Sequence, residues 1–194
     1  KTGKFVDGDM TVKRFCDPSV NPGCKDHLYV DWPDAAIVAA HGFNAGDRWG
    51  ALMRNAALGT CSTVMGGATG NMFVGDGNLK FLHASSCLSL NDSYFANMRV
   101  AMKENGSAKG LHVMTGFHGL MYIGSSYVDE YRDLASEAMN SRGVARAWID
   151  NMHHVDHWYN SYKTICPVAV GFGATAAAAQ AIHDETYNGH WAHP

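Results

Sequence analysis

An α/β domain of three layers, with a mostly parallel sheet and helices on both faces, is the fold this sequence predicts. Three observations point to it. Four short apolar runs, Ala35–Ala40, Leu79–Ala84, Leu111–Thr115 and Val168–Phe172, are bounded by Gly, Pro or polar clusters, as strands buried on both faces are. Between them lie longer stretches whose apolar residues recur at helical spacing, and strands alternating with helices imply a parallel sheet. Finally, 194 residues with 46% hydrophobic and 17% charged side chains suffice for one well-packed domain.

Taken in order, residues 1–34 read as an irregular N-terminal wrap, rich in Gly, Asp, Pro and Lys. Within it Phe5, Val6, Val12 and Phe15 could form an edge hairpin, and Leu28–Val30 a short strand. Cys16 and Cys24 bracket the turn-rich loop Asp-Pro-Ser-Val-Asn-Pro-Gly, which suits a small disulfide ring if the protein is exported. Five cysteines are an odd number, so an exported chain would keep a free thiol. The chain opens at Lys1 rather than Met, which fits processing, and secretion is the expected localisation.

The first core strand, Ala35–Ala40, stops at His41-Gly42. Trp49, Leu52, Met53 and Ala56 then follow helical spacing, with Asp47 as N-cap and Gly59 as stop, so 47–58 is predicted helical. Asn71–Val74 and the turn Gly75-Asp76-Gly77-Asn78 read as a hairpin feeding the second strand. Asn91–Glu104 is an expected amphipathic helix with Phe95, Met98 and Met102 inward. After the third strand come helices over Ser126–Met139 and Val144–Tyr159, then the fourth strand, then an Ala-rich helix over Ala174–His183. No linker or repeat divides the chain, so 1–194 is one domain.

Charge narrows the function classes. A formal net charge of −3 leaves no basic footprint for nucleic acid. No apolar run approaches the ~18 residues of a membrane span.

Chemistry concentrates where two strands end. His41 follows the first and Cys87 the second, 46 positions later, enough chain to bring them side by side. A thiolate is a nucleophile, and a nearby imidazole lowers its pKa and later protonates the leaving amine. Backbone N–H groups of Gly42 and Cys87 could face the developing oxyanion. The bland alternative is a buried thiol and an ordinary loop histidine.

The order strand–His-Gly, then strand–small-small-Cys, resembles the caspase-fold cysteine peptidases, the group of caspases, metacaspases, legumains, gingipains and separases. The residues that carry the likeness are His41-Gly42 and Ser86-Cys87 with the apolar runs before them, and it covers roughly Tyr29–Gly119. In caspases the His stands about 50 residues upstream of the Cys. The resemblance implies a caspase-like fold and a cysteine-type endopeptidase acting on a peptide or protein, with no cofactor. It makes Cys87 the nucleophile and His41 the general acid–base. It also implies a substrate pocket drawn from Phe43, Ser86, Met114, Thr115 and Gly116. In this sequence Phe43 follows His-Gly and Leu88-Ser-Leu follows Cys87, departures from the Ser, Thr or Gly common at those places in the group.

Other motifs are weaker. Ala40-His-Gly-Phe43 would suit a serine hydrolase, but no Gly-x-Ser-x-Gly elbow exists in the chain. Gly171-Phe-Gly173-Ala-Thr-Ala176 matches a dinucleotide turn, yet only 18 residues follow, too few to complete the unit. Close strand–helix packing explains those glycines better. His153 and His157 stand at i and i+4, a spacing that can ligate a metal, with Asp156, His183, His190 or His193 as further ligands; exposed helix histidines are the simpler reading. Two alternatives to an enzyme follow: a secreted binding or structural domain of the same fold, and a His-ligated metal protein.

Overall fold

The computed structural model describes residues 3, 4, 6–66, 69–99, 101, 102, 110–121, 127–153 and 165–189. In chain order the strands are β1 (Ala35–Ala39), β2 (Gly42–Asn44), β3 (Trp49–Ala57), β4 (Thr60–Val64), β5 (Phe81–Ser85), β6 (Val113–Phe117) and β7 (Pro167–Gly171). The helices are α1 (Phe95–Arg99), α2 (Val128–Asn140), α3 (Val144–Met152) and α4 (Ala176–His183). All four predicted core strands share one sheet, in the order β1-β5-β6-β7.

That sheet is mixed. β1–β5 and β5–β6 are parallel, whereas β7 runs antiparallel to β6 with Pro167 opposite Phe117. An apolar run carries no direction of its own, so only the pairing of β7 with β6 decides which way the strand runs.

The segment 47–58 is the main correction. It is strand β3, not a helix, and with β2 and β4 it forms a separate three-stranded antiparallel sheet. Trp49, Ala51 and Met53 are buried while Leu52 and Arg54 are exposed, an alternation that the helical spacing concealed. Leu58 and Gly59 both take positive φ, 55° and 82°, the geometry of a tight hairpin between twisted strands. Consequently the layer on one face of the central sheet is this second sheet and the N-terminal wrap with the short helix α1, in place of the helical layer expected there. On that side Leu82, Ala84 and Met114 pack with Trp49, Met65 and Met98. On the other, Phe81, Val113 and Phe117 pack with Leu134, Ala138, Val144 and Trp148 of α2 and α3.

Smaller differences follow the same logic. The wrap contains short 3-10 turns at Asp7–Asp9, Val12–Arg14 and Asp26–Leu28 in place of the hairpin and strand expected there; Phe5 lies outside the described residues. Asn71–Val74 makes isolated bridges from Met72 to Met65 and from Val74 to Met102, and no hairpin with β5. Of the helix expected over Asn91–Glu104, Phe95–Arg99 is helical with Met98 buried, while residues 100, 103 and 104 lie outside the described residues. Cys16 and Cys24 are joined in a disulfide, their Cα atoms 5.1 Å apart. At Gly171 and Gly173 a Cβ would press into the backbone of Ala179, so these glycines let α4 lie directly on β7. Thr175 caps α4, its Oγ1 accepting from the Ala178 amide at 3.1 Å.

Candidate functional site

β1 and β5 are adjacent and parallel, with Ala39 opposite Ser85. His41 and Cys87 each stand two residues beyond that pair, at the same edge of the sheet. The chain at His41 is gripped from two sides. Ala40 N–H donates to the Ser85 carbonyl at 3.4 Å, and the His41 carbonyl accepts from Leu52 N–H at 2.9 Å. His41 is therefore where the chain passes from one sheet to the other, and its side chain is exposed.

Gly42 has no room for a side chain. A Cβ there would overlap the Cys87 carbonyl oxygen and Ser86 Oγ and stand 2.9 Å from Trp49 Nε1. The two segments singled out in the sequence, His41-Gly42 and Ser86-Cys87, are thus in backbone contact. The indole N–H of Trp49 donates to Ser86 Oγ at 3.2 Å, which satisfies a buried donor and fixes the turn.

The loop after β5 is held equally firmly. Leu88 adopts φ +60°, a conformation non-glycine residues take only when their surroundings impose it. Its N–H donates to the Gly119 carbonyl at 2.8 Å, and its own carbonyl accepts the Tyr94 hydroxyl. Ser89 ties the loop to its neighbours, donating to the Ala84 and Ser86 carbonyls at 3.0 and 2.9 Å and accepting from Phe117 N–H at 2.9 Å. Asn91 Nδ2 adds a bond to the His118 carbonyl at 2.9 Å.

Cys87 itself is half-buried and free of any disulfide. Its sulfur accepts from Met121 N–H at 3.4 Å and lies 3.3 Å from the Met121 carbonyl, to which the thiol donates. No signal in the sequence pointed to Met121 or Trp49 as neighbours of this site, since both contacts depend on the loop after β6 and on β3.

The expected pocket residues fall into two groups. Phe43, half-buried on β2, lies across from Gly50, and Ser86 is buried beside Gly42. Met114, Thr115 and Gly116 are buried interior residues of β6. Thr115 Oγ1 is engaged by His83 Nδ1 at 2.7 Å, and Gly116 presses on Ser89 while its carbonyl accepts from Trp148 Nε1 at 3.1 Å. They support the strand rather than face an opening.

His83 is the centre of a second polar cluster, one the sequence did not suggest. It is fully buried, with Nε2 2.7 Å from the Tyr187 hydroxyl and its ring stacked 5.4 Å from Trp148. Burial pushes its pKa down to about 3, so the ring is neutral and serves as a hydrogen-bonding strut.

Of the histidine pair weighed as a metal site, His153 is exposed and lies just past the end of α3; Asp156, His157, His190 and His193 lie outside the described residues. Among the described residues, no group of three or more His, Cys, Asp and Glu side chains is arranged as a ready-made metal site.

A family model described as a domain of unknown function (DUF6345) matches residues 4–193. No curated protein and no solved structure matches the chain.

Proposed function

The chain belongs to the DUF6345 family, and from the site just described we propose that it is a cysteine peptidase or a related acyl-transfer enzyme of caspase-like arrangement. The observation that carries this reading is the register of β1 on β5. It puts an exposed imidazole and a free thiol at equivalent positions past two neighbouring strands, at the edge where parallel sheets offer their ligand sites. The backbone contact of Gly42 with Cys87 supports it further.

In this mechanism His41 takes the Cys87 proton and the thiolate attacks the substrate carbonyl. The N–H groups of Gly42 and Cys87 stabilise the oxyanion. His41 then protonates the leaving amine, and water attacks the thioester with His41 as base, releasing acid and free thiol. The reaction needs no cofactor. Since Met114–Gly116 are interior, Phe43 and the 118–120 loop are the surfaces left to meet a substrate beside Cys87. The disulfide in the wrap suits an oxidising compartment, so we place the protein outside the cytosol.

The bonds between Cys87 Sγ and the Met121 main chain favour a second reading, a binding or structural domain whose cysteine is a fixed structural group. Turnover of a fluorogenic peptide library, followed by assay of Cys87→Ala on any peptide cleaved, separates the two. The proposal expects turnover that Cys87→Ala abolishes while the unfolding midpoint stays put. Full activity in Cys87→Ala would overturn it, and inertness of the wild type to both peptides and thiol-directed electrophiles would establish the second reading.

A further inference from the structure

The N-terminal wrap holds a cleft of about 200 Å³ that shares no lining residue with the site around Cys87. Three cations line it, Lys13, Arg14 and Lys25, together with Thr11 and Tyr29. The disulfide brings them to one place. Cys16 and Cys24 are joined, and beside that ring Lys25 N–H donates to the Lys13 carbonyl at 2.9 Å. Gly8, also in the lining, is anchored to β3, since Asn55 Nδ2 donates to its carbonyl at 2.8 Å. Arg14 is held in one pose: its guanidinium lies over the Tyr29 ring, 4.6 Å from the centroid, and its Nη2 donates to Asp9 Oδ1 at 3.3 Å. A planar fork fixed in this way loses little freedom when it takes up a ligand.

The charge of the lining is one-sided. Against the three cations stands a single carboxylate, that of Asp9, which is mostly exposed. Among the described residues Lys13 and Lys25 form no ion pair with a carboxylate. Asp26 follows Lys25 in the chain, but its Oδ1 accepts His27 N–H at 2.6 Å and the residue does not line the cleft. Like charges gathered round one cleft repel unless an anion lies between them. The concentration is local, because the chain as a whole carries a formal net charge of −3.

We propose that this cleft binds a small, doubly charged tetrahedral oxyanion, a phosphate or sulfate group, through Lys13, Arg14 and Lys25. Three cations less the one carboxylate leave an excess that a dianion neutralises and a single carboxylate ligand does not. Arginine and lysine are also the side chains that suit such oxygens, the first as a fork and the second as a point charge. Thr11 offers a hydroxyl in the same lining. The volume is below the roughly 300 Å³ at which drug-sized ligands begin to be enclosed, so the cleft takes a headgroup rather than a large molecule. The site is independent of any chemistry at Cys87.

The test is an NMR titration of the purified, disulfide-intact chain near pH 7.5 and at low salt, with inorganic phosphate, inorganic sulfate, glycerol phosphate and acetate as probes. Phosphate or sulfate should shift the amide signals of Thr11–Arg14 and Lys25 saturably at millimolar concentration or below, and acetate should not. Glycerol phosphate binding as tightly as inorganic phosphate means that the site takes the head of an ester, and binding about tenfold weaker means that it takes the free ion; either supports the proposal. Lys25→Gln, at an exposed position of the wrap, should weaken binding about tenfold. Asp9→Asn should tighten it several-fold, because a competing negative charge is removed, whereas a purely structural Asp9–Arg14 pair would predict weaker binding from a loosened Arg14. Asp129→Asn, on the exposed face of α2, should change nothing. The proposal is overturned if neither phosphate nor sulfate shifts these signals, if acetate binds as tightly, or if Lys25→Gln and Asp9→Asn both leave the affinity unchanged.

Discussion

Gly42 lies against the carbonyl of Cys87 so closely that any side chain at position 42 would overlap that oxygen. The link runs between two strands separated by an entire second sheet in sequence. It is the contact through which β1, β2 and the loop after β5 act as one unit. Gly42→Ala should therefore do more than fill space. Overpacking in a fixed core costs about 1–3 kcal/mol, and here the obstacles are a carbonyl and a bonded serine rather than a flexible side-chain end. The unfolding midpoint in urea should fall accordingly, and alkylation of Cys87 should change rate even though its own side chain is untouched. A neutral result on both measurements would mean that the two segments separate readily.

The disulfide lends itself to a separate measurement. Cys16 and Cys24 are buried and close a ring spanning eight sequence positions. Closing a ring of that size stabilises by roughly 2–3 kcal/mol in the chain-entropy account. The paired Cys16→Ser/Cys24→Ser variant should lose about that much in denaturant titrations, with Cys61, Cys87 and Cys166 outside any disulfide in both proteins.

How much of this was legible in the sequence varies with the range of the interaction. The strand ends at His41 and Cys87, the disulfide, and the packing role of Gly171 and Gly173 all follow from short stretches, and the structure bears them out. Residues 49–57 did not, because Trp49, Leu52, Met53 and Ala56 satisfy a helix while Trp49, Ala51 and Met53 satisfy a strand, and only pairing with β2 and β4 decides. The direction of β7 was hidden for a similar reason, since nothing within Pro167–Gly171 says which way the strand meets β6. Burial of Thr115 and Gly116, and the clasp of Met121 on Cys87, are tertiary facts with no local signature.

His83 should make stability depend on pH in the acid range. Its pKa is about 3 in the folded protein against 6.5 when unperturbed, because burial disfavours the imidazolium. Between those values the unfolded chain binds the extra proton. The stabilising contribution is therefore complete above pH 6.5 and is lost as pH falls toward 3, by at most about 1.4 kcal/mol per pH unit from this group. His83→Gln keeps a polar side chain near Thr115 and Tyr187 but cannot titrate. Urea midpoints of the two proteins should converge as the pH is lowered from 7 to 4; parallel curves would show that His83 charges without cost.

The last prediction concerns which thiol reacts first. Cys61 and Cys166 are exposed whereas Cys87 is half-buried, so access alone ranks Cys87 behind both. An imidazole that draws off its proton would reverse that order, because the thiolate is the attacking species. With limiting iodoacetamide near neutral pH, peptide mapping should find Cys87 modified ahead of Cys61 and Cys166. His41→Ala should return Cys87 to the rear, while Cys61 and Cys166 keep their rates as internal controls. If Cys87 is slowest in the wild type and His41→Ala changes nothing, the pairing of these two residues is structural, and the acyl-transfer chemistry has to be given up.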